Sequence, residues 1–218
     1  MKPLNKYIDH TNLKPFAQRA DIEKLCAEAK EYDFASVCIN PCNVALAKEL
    51  LKGTDVKVCT VIGFPLGQNT TDIKVAETVK ALADGCEEFD MVINVGALKD
   101  GDNDYVRDEI AAVVAAAEGN TVKVIIETGL LTDEEKARAT RLSCEAGAHF
   151  VKTCTGFSAG VATVEDILIM KANVTNGVQI KASAGIKNYE TAKALIDAGA
   201  DRIGASAGKE IIAGASKK

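Results

Sequence analysis

Short β-branched apolar runs alternate along this chain with longer segments in which apolar residues recur every three or four positions. The runs are Lys6–His10, Ala35–Asn40, Val56–Gly63, Phe89–Asn94, Val122–Glu127, His149–Thr153, Val178–Ala182 and Arg202–Ser206, and they read as strands. Between them, Ile22–Tyr32, Val44–Lys52, Ile73–Asp84, Asp104–Glu118, Asp133–Ala146, Val164–Ala172 and Tyr189–Ala198 carry helical spacing. Strands alternating with helices of this length predict parallel βαβ units and an α/β fold. Eight units in 218 residues come to about 27 residues each, the repeat of a compact (β/α)8 TIM barrel. A doubly wound sheet would usually have fewer strands, and no G-x-G-x-x-G follows the first run. The expected architecture is one barrel domain over residues 1–218, with a short N-terminal helical extension before or beside the first strand.

Three helical segments end alike, at Ala83-Asp84-Gly85-Cys86, Glu145-Ala146-Gly147-Ala148 and Asp197-Ala198-Gly199-Ala200, and each leads into a strand. Glycine there lets the chain leave a helix in a left-handed conformation without steric cost. Five residues beyond each glycine lie Asp90, Lys152 and Gly204. They hold equivalent places in the fourth, sixth and eighth strands, and alternate strands of a barrel fill one interior layer. The three are expected to face one another inside the barrel.

Composition narrows the function. With 47% hydrophobic and 26% charged residues, the chain can build a packed core and is not disordered. A net charge of −5, no basic run and few aromatic residues argue against a nucleic-acid partner. Residues 1–6 lack a signal-peptide apolar stretch and no later run could span a bilayer, so a cytoplasmic protein with no membrane partner is expected. Seven cysteines without a C-x-x-C pair read as reduced thiols. With His10 and His149 as the only histidines, imidazole is not expected to carry the chemistry.

Three ionisable residues interrupt runs that should be apolar: Asp90 in Phe89-Asp90-Met91-Val92-Ile93, Lys152 in Phe150-Val151-Lys152-Thr153, and Lys181 in Gln179-Ile180-Lys181-Ala182. Such groups are rarely buried unless paired, so each alone reads equally well as part of a structural ion pair. Together on neighbouring or same-layer strands they point to chemistry. An ammonium beside a second positive charge loses its proton more easily, and a free amine attacks a carbonyl to form a Schiff base. The iminium is an electron sink that lets a C–C bond form or break, and a nearby carboxylate relays protons. Asp90, Lys152 and Lys181 read together predict an aldolase with no metal and no cofactor.

Small residues follow the last strands. Thr153-Cys154-Thr155-Gly156 follows the Lys152 strand, Ser183-Ala184-Gly185-Ile186-Lys187 the Lys181 strand, and Gly204-Ala205-Ser206-Ala207-Gly208 the final one. Loops after strands seven and eight are where barrels commonly hold a phosphate. Glycine also simply makes tight turns, so each loop alone is a weak signal.

At these residues the chain closely resembles the deoxyribose-phosphate aldolase family. The matching blocks run nearly end to end: Ile8-Asp9-His10-Thr11-Asn12-Leu13, Val37-Cys38-Ile39-Asn40-Pro41, Val61-Ile62-Gly63-Phe64-Pro65-Leu66-Gly67, Glu88-Phe89-Asp90-Met91-Val92, Lys123-Val124-Ile125-Ile126-Glu127-Thr128, Val151-Lys152-Thr153-Cys154-Thr155-Gly156-Phe157, Ile180-Lys181-Ala182-Ser183 and Arg202-Ile203-Gly204-Ala205-Ser206. The resemblance implies reversible cleavage of 2-deoxy-D-ribose 5-phosphate to D-glyceraldehyde 3-phosphate and acetaldehyde. It implies Lys152 as the Schiff-base lysine, Lys181 as the lysine that lowers its partner's pKa, and Asp90 as the proton-relay carboxylate. Thr155, Gly156, Gly185, Gly204 and Ser206 match phosphate-holding positions, and Thr11, Leu13 and Cys38 match positions near the sugar. The implied partners are a small phosphosugar and acetaldehyde, with a homodimer or homotetramer left open.

The chain departs from the family pattern at Ala184 and Ala207, where Gly and Ser are usual, and in Ala215-Ser216-Lys217-Lys218, which lacks the tyrosine some members carry. Among other candidates, Thr71-Asp72 reads as a helix N-cap and His10 as a packing or hydrogen-bonding residue. Glu127 stands open between a catalytic role and bonding the next loop's N–H groups. The cysteines read as core residues, with Cys38 alone placed to react with an aldehyde or an oxidant. Two other readings compete: a different Schiff-base aldolase or transaldolase-like barrel, and a non-catalytic phosphosugar-binding barrel.

Overall fold

The computed structural model describes residues 2–158 and 160–216. Lys217 and Lys218 of the C-terminal tail lie outside the described residues. Eight parallel strands close in chain order into a barrel: β1 (Ile8–Asn12), β2 (Ser36–Ile39), β3 (Lys57–Ile62), β4 (Glu88–Val92), β5 (Thr121–Ile125), β6 (Phe150–Lys152), β7 (Gln179–Ser183) and β8 (Arg202–Ala205). Closure is made by β1 against β8, with Asp9 opposite Gly204. Around it lie α1 (Arg19–Glu31), α2 (Val44–Leu50), α3 (Thr71–Ala83), α4 (Val95–Asp100), α5 (Asn103–Ala116), α6 (Asp133–Glu145), α7 (Val164–Asn173), α8 (Tyr189–Ala198) and α9 (Gly208–Ala215). No helix among the described residues is long and apolar enough to cross a membrane.

The two-residue period of a strand divides each one between two environments. In β4, Phe89 and Met91 join the large apolar layer between strands and helices, while Glu88 and Asp90 turn inward. In β5, Val122 and Val124 face the helices and Lys123 faces in. A second, small apolar cluster of Leu13, Cys38, Cys59 and Val61 fills the interior on the β1–β3 side. Beside it the interior carries charge at Asp9, Glu88, Asp90, Lys123, Lys152 and Lys181.

Helix ends follow the sequence closely in three places: Gly85, Gly147 and Gly199 all have positive φ after α3, α6 and α8. Other expectations shift. Residues Leu4–Tyr7 form a single 3-10 turn, so β1 begins at Ile8 rather than Lys6, and this turn is the N-terminal helical extension. The N-cap of α3 is Thr70, without a side-chain cap bond, and Thr71 is already helical, so the Thr71-Asp72 cap is off by one residue. Helices α4 and α9 went unread: both are short and carry glycine, Gly96 in one and Gly208 and Gly214 in the other, which blurs the helical pattern.

Candidate active site

Register brings the charged residues together. Asp90 lies opposite Lys123, Lys152 opposite Lys181, and Lys181 opposite Arg202. Asp90 Oδ2 accepts hydrogen bonds from Lys152 Nζ and Lys181 Nζ, both at 2.7 Å, and its Oδ1 accepts from Lys123 Nζ at 2.8 Å. Lys181 also pairs with Asp9 Oδ2 at 2.5 Å, Lys123 with Glu88 at 2.7 Å, and Arg202 with both Asp9 and Glu88 at 2.6 Å. Asp90, Lys152 and Lys181 therefore meet as expected, and Lys123 joins them as a third lysine on Asp90. Gly204 does face inward: a Cβ there would lie 3.1 Å from Lys181 Cε. A side chain at Gly204 would displace the Lys181 stem.

This cluster sets protonation states. Burial alone would push the Asp90 carboxyl up, but Lys123, Lys152 and Lys181 hold it well below the usual carboxylate range. Asp9 is likewise lowered, against its burial, by Arg202, Lys181 and Lys123. Burial works against charge on Lys181 too, yet Asp9 and Asp90 outweigh it and raise its pKa. Lys123 is raised well above the lysine range by the same kind of balance, Asp90 outweighing its desolvation. Lys181 thus stays a cation.

Asp9, Glu88, Lys123 and Arg202 were not singled out from sequence, although each sits in or begins a strand, the same signal that marked Asp90. Their significance lies in partners up to 193 positions away.

Above the cluster opens a cleft of about 560 Å³, lined by Lys152, Thr11 and Leu13 on one side and by the loops after β6, β7 and β8 on the other. Thr155, Gly156, Gly185, Gly204 and Ser206 all line it, and α9 begins two residues after Ser206. Cys38, Asp90 and Lys181 lie deeper, fully buried beneath. Lys14, Lys24 and Lys187 add positive charge to the lining. Nothing in the sequence distinguishes them from other surface lysines.

Thr155 arrives already engaged. Its hydroxyl donates to Glu127 Oε2 at 2.5 Å, its N–H donates to the same carboxylate, and its Oγ1 accepts from the Phe157 N–H. Of the two readings of Glu127, the structure displays the loop-bonding one. Ala184 has φ +80, a left-handed conformation that a side chain disfavours, which accounts for glycine being usual at this point of the family pattern. His10 Nε2 lies 2.8 Å from Glu28 and its ring 5.1 Å from Phe34, a packing and hydrogen-bonding environment. Cys42 departs from the core reading: it is the exposed thiol, while the other six are buried.

One set of possible metal ligands exists among the described residues: Cys38, Cys59 and Asp90, with ligand atoms within 4.8 Å of one another. Lys123 already lies against two of them, 3.3 Å from Cys59 Sγ and 2.8 Å from Asp90 Oδ1. Its positive charge opposes a cation there.

The sequence pattern of the DeoC/LacD family aldolases matches residues 4–214. The chain belongs to that family. Deoxyribose-phosphate aldolase of Bdellovibrio bacteriovorus is 59% identical over 213 residues, covering 98% of this chain and 97% of that one. The enzyme of the same name from Exiguobacterium sibiricum is 61% identical over 208 residues, 95% and 94% of the two chains. Among solved structures of the family, the tetrameric deoxyribose phosphate aldolase of Aeropyrum pernix superposes with a TM-score of 0.92 at 31% identity, covering 98% of this chain and 91% of that one. Family membership accounts for a barrel with lysines at its interior mouth, which fold alone would not: a barrel supports many chemistries.

Proposed function

We propose that this chain is a class I aldolase, one catalytic domain that cleaves 2-deoxy-D-ribose 5-phosphate reversibly to D-glyceraldehyde 3-phosphate and acetaldehyde through an iminium on Lys152. The observation that carries the assignment of Lys152 is its place in the charge cluster. Four cations, Lys123, Lys152, Lys181 and Arg202, meet three carboxylates, Asp9, Glu88 and Asp90. One proton lost leaves the cluster balanced. Lys123, Lys181 and Arg202 each bond two carboxylates, whereas Lys152 has only its share of Asp90, and it alone of the four lines the cleft.

The chemistry follows. The Lys152 amine adds to the C1 aldehyde of the open-chain sugar, and loss of water gives the iminium. Deprotonation of the C3 hydroxyl breaks the C2–C3 bond, releases glyceraldehyde 3-phosphate and leaves an enamine, which is protonated at C2 and hydrolysed to acetaldehyde. Asp90, touching both lysines through one oxygen, is placed to pass protons between Lys152, a bound water and Lys181. Lys181, held charged by Asp9 and Asp90, serves as the acid. At the other end of the substrate, backbone N–H groups around Gly156, Gly185, Gly204 and Ser206 and the start of α9 suit a phosphate dianion. Thr155 shapes this loop through Glu127, while Thr11 and Leu13 border the sugar and Cys38 lies buried beneath it.

Borohydride reduction with acetaldehyde or deoxyribose 5-phosphate tests this. Added mass at Lys152, abolished by Lys152→Ala and indifferent to chelators, is the expected result. Label at Lys181 would reverse the two lysine roles, and a chelator-sensitive activity would overturn the metal-free mechanism.

A further inference from the structure

Cys38 and Cys59 stand directly opposite each other in the β2–β3 register. Both turn into the barrel, where they pack with Leu13 and Val61 beneath Phe64. Their sulfurs and an Asp90 oxygen lie within 4.8 Å of one another. Cys59 Sγ donates to Asp90 Oδ1 at 3.1 Å and accepts from Lys123 Nζ at 3.3 Å, so this thiol touches the carboxylate that Lys152 and Lys181 share. Opposed residues on neighbouring strands have Cα atoms about 5 Å apart, inside the range a disulfide spans.

We propose that Cys38 and Cys59 are a peroxide-oxidisable dithiol whose closure to a disulfide inside the barrel switches the aldolase off. The Cys38 sulfur attacks one oxygen of hydrogen peroxide, the O–O bond breaks, and the leaving hydroxide takes up the thiol proton as water. Cys38 is then a sulfenic acid. The Cys59 sulfur attacks it, the S–O bond breaks, and the second oxygen leaves as hydroxide, which takes up the Cys59 proton and becomes water. Two thiols lose two electrons and two protons, and one peroxide becomes two waters. Peroxide is neutral and little larger than water, so it can pass the cleft floor where a bulky oxidant cannot.

Electrostatics favour Cys38 as the attacking sulfur. The Cys38 thiol is lowered by the neighbouring Cys59, with Lys181 and Lys152 assisting against burial and Asp90, while burial pushes the Cys59 thiol well up. Burial instead pushes the Cys26 thiol up to about 11 and the Cys86 thiol up to about 12. The disulfide removes the thiol donor from Asp90 Oδ1 and reshapes the Lys123 contact, which re-seats the carboxylate shared by Lys152 and Lys181. The loss of activity rests on the proposed role of Asp90, whereas the disulfide itself does not.

The test uses Cys42→Ser protein, because Cys42 is exposed and shares the tryptic peptide 31–48 with Cys38. Peroxide should lower the intact mass by two hydrogen atoms and link peptide 31–48 to peptide 58–74. Activity should fall in proportion to the linked fraction, and dithiothreitol should restore both. Adding Cys59→Ala, or Cys59→Ser should the alanine variant fail to fold, should abolish the link, and a second peroxide should carry Cys38 on to the sulfinic acid, which dithiothreitol does not reverse. Oxygen added without a link, or a link to any other cysteine, overturns the dithiol. A fully linked protein that remains active overturns the switch, and borohydride trapping on the reduced protein shows independently whether the Lys152 reading stands.

Discussion

Lys152 and Lys181 converge on a single oxygen, each placing its Nζ 2.7 Å from Oδ2 of Asp90. Their strands hold them opposite one another, so both side chains leave the barrel wall at the same height. What separates them is their other company: Lys181 has Asp9 as well, and Lys152 has the cleft. One lysine is fixed as a cation, and its neighbour faces the cleft.

Removing the fixed cation should slow turnover and spare the iminium. Lys181→Leu leaves Asp90 without its second cleft-proximal cation and removes the group proposed as the acid. Turnover should fall by about 100-fold or more while borohydride still traps an iminium on Lys152. An undiminished turnover would refute the division of roles between the pair. The same substitution strips a cation from Asp9 and Asp90, and should cost about 3 kcal/mol of stability by urea unfolding at pH 7.

Stability against pH should expose Asp9. Its folded pKa is depressed, so its contribution is fully present above the unfolded value near about 4 and is lost as pH falls toward the folded one. At pH 7 Asp9→Asn should therefore be less stable than the parent by about 3 kcal/mol. The two unfolding curves should draw together as pH falls below about 4, because the unfolded parent chain then binds a proton that folded Asp9 does not, and they meet only below the folded value. At the alkaline end the sign reverses: Lys181, raised when folded, contributes below about 10.5 and loses that contribution only as pH rises past its folded value. Parallel acid limbs would show that Asp9 gains nothing from its partners.

Ala184 is expected to be a fault in the phosphate loop. At φ +80 its Cβ costs about 1 kcal/mol, of which a flexible unfolded glycine chain gives part back. Ala184→Gly should raise the melting temperature by roughly 1–3 °C and lower KM for the phosphorylated sugar more than it changes kcat. An unchanged or lower melting temperature would show that the residue sits there without strain.

Thiol chemistry should be selective. Cys42 is exposed on the turn Pro41–Asn43, and the other cysteines are buried. An alkylating reagent on the native protein should modify Cys42 rapidly and the remaining thiols only on unfolding, followed by intact mass against time. Early alkylation at a buried cysteine would reveal an opening of the barrel that its packing does not provide for.

The barrel itself was legible in local patterning, because a strand with one face to the helices and one to the interior must repeat every two residues, and each covering helix every three or four. Asp90, Lys152 and Lys181 were legible for a related reason: a charge inside an apolar run has to be compensated somewhere. Where it is compensated is a tertiary matter. Asp9 meets Lys181 and Arg202 only because β1 closes against β8, and Lys123 meets Asp90 and Glu88 only through the β4–β5 register. The stagger at which eight strands close is a property of the whole ring, and no local period encodes it. The commitment of Thr155 to Glu127, and of Cys59 to Asp90, came from the same source. The residue types and their spacing determined that charged chemistry would sit inside a barrel. The closed geometry decided which lysine has two carboxylates, which has a shared one, and which of them opens on the cleft.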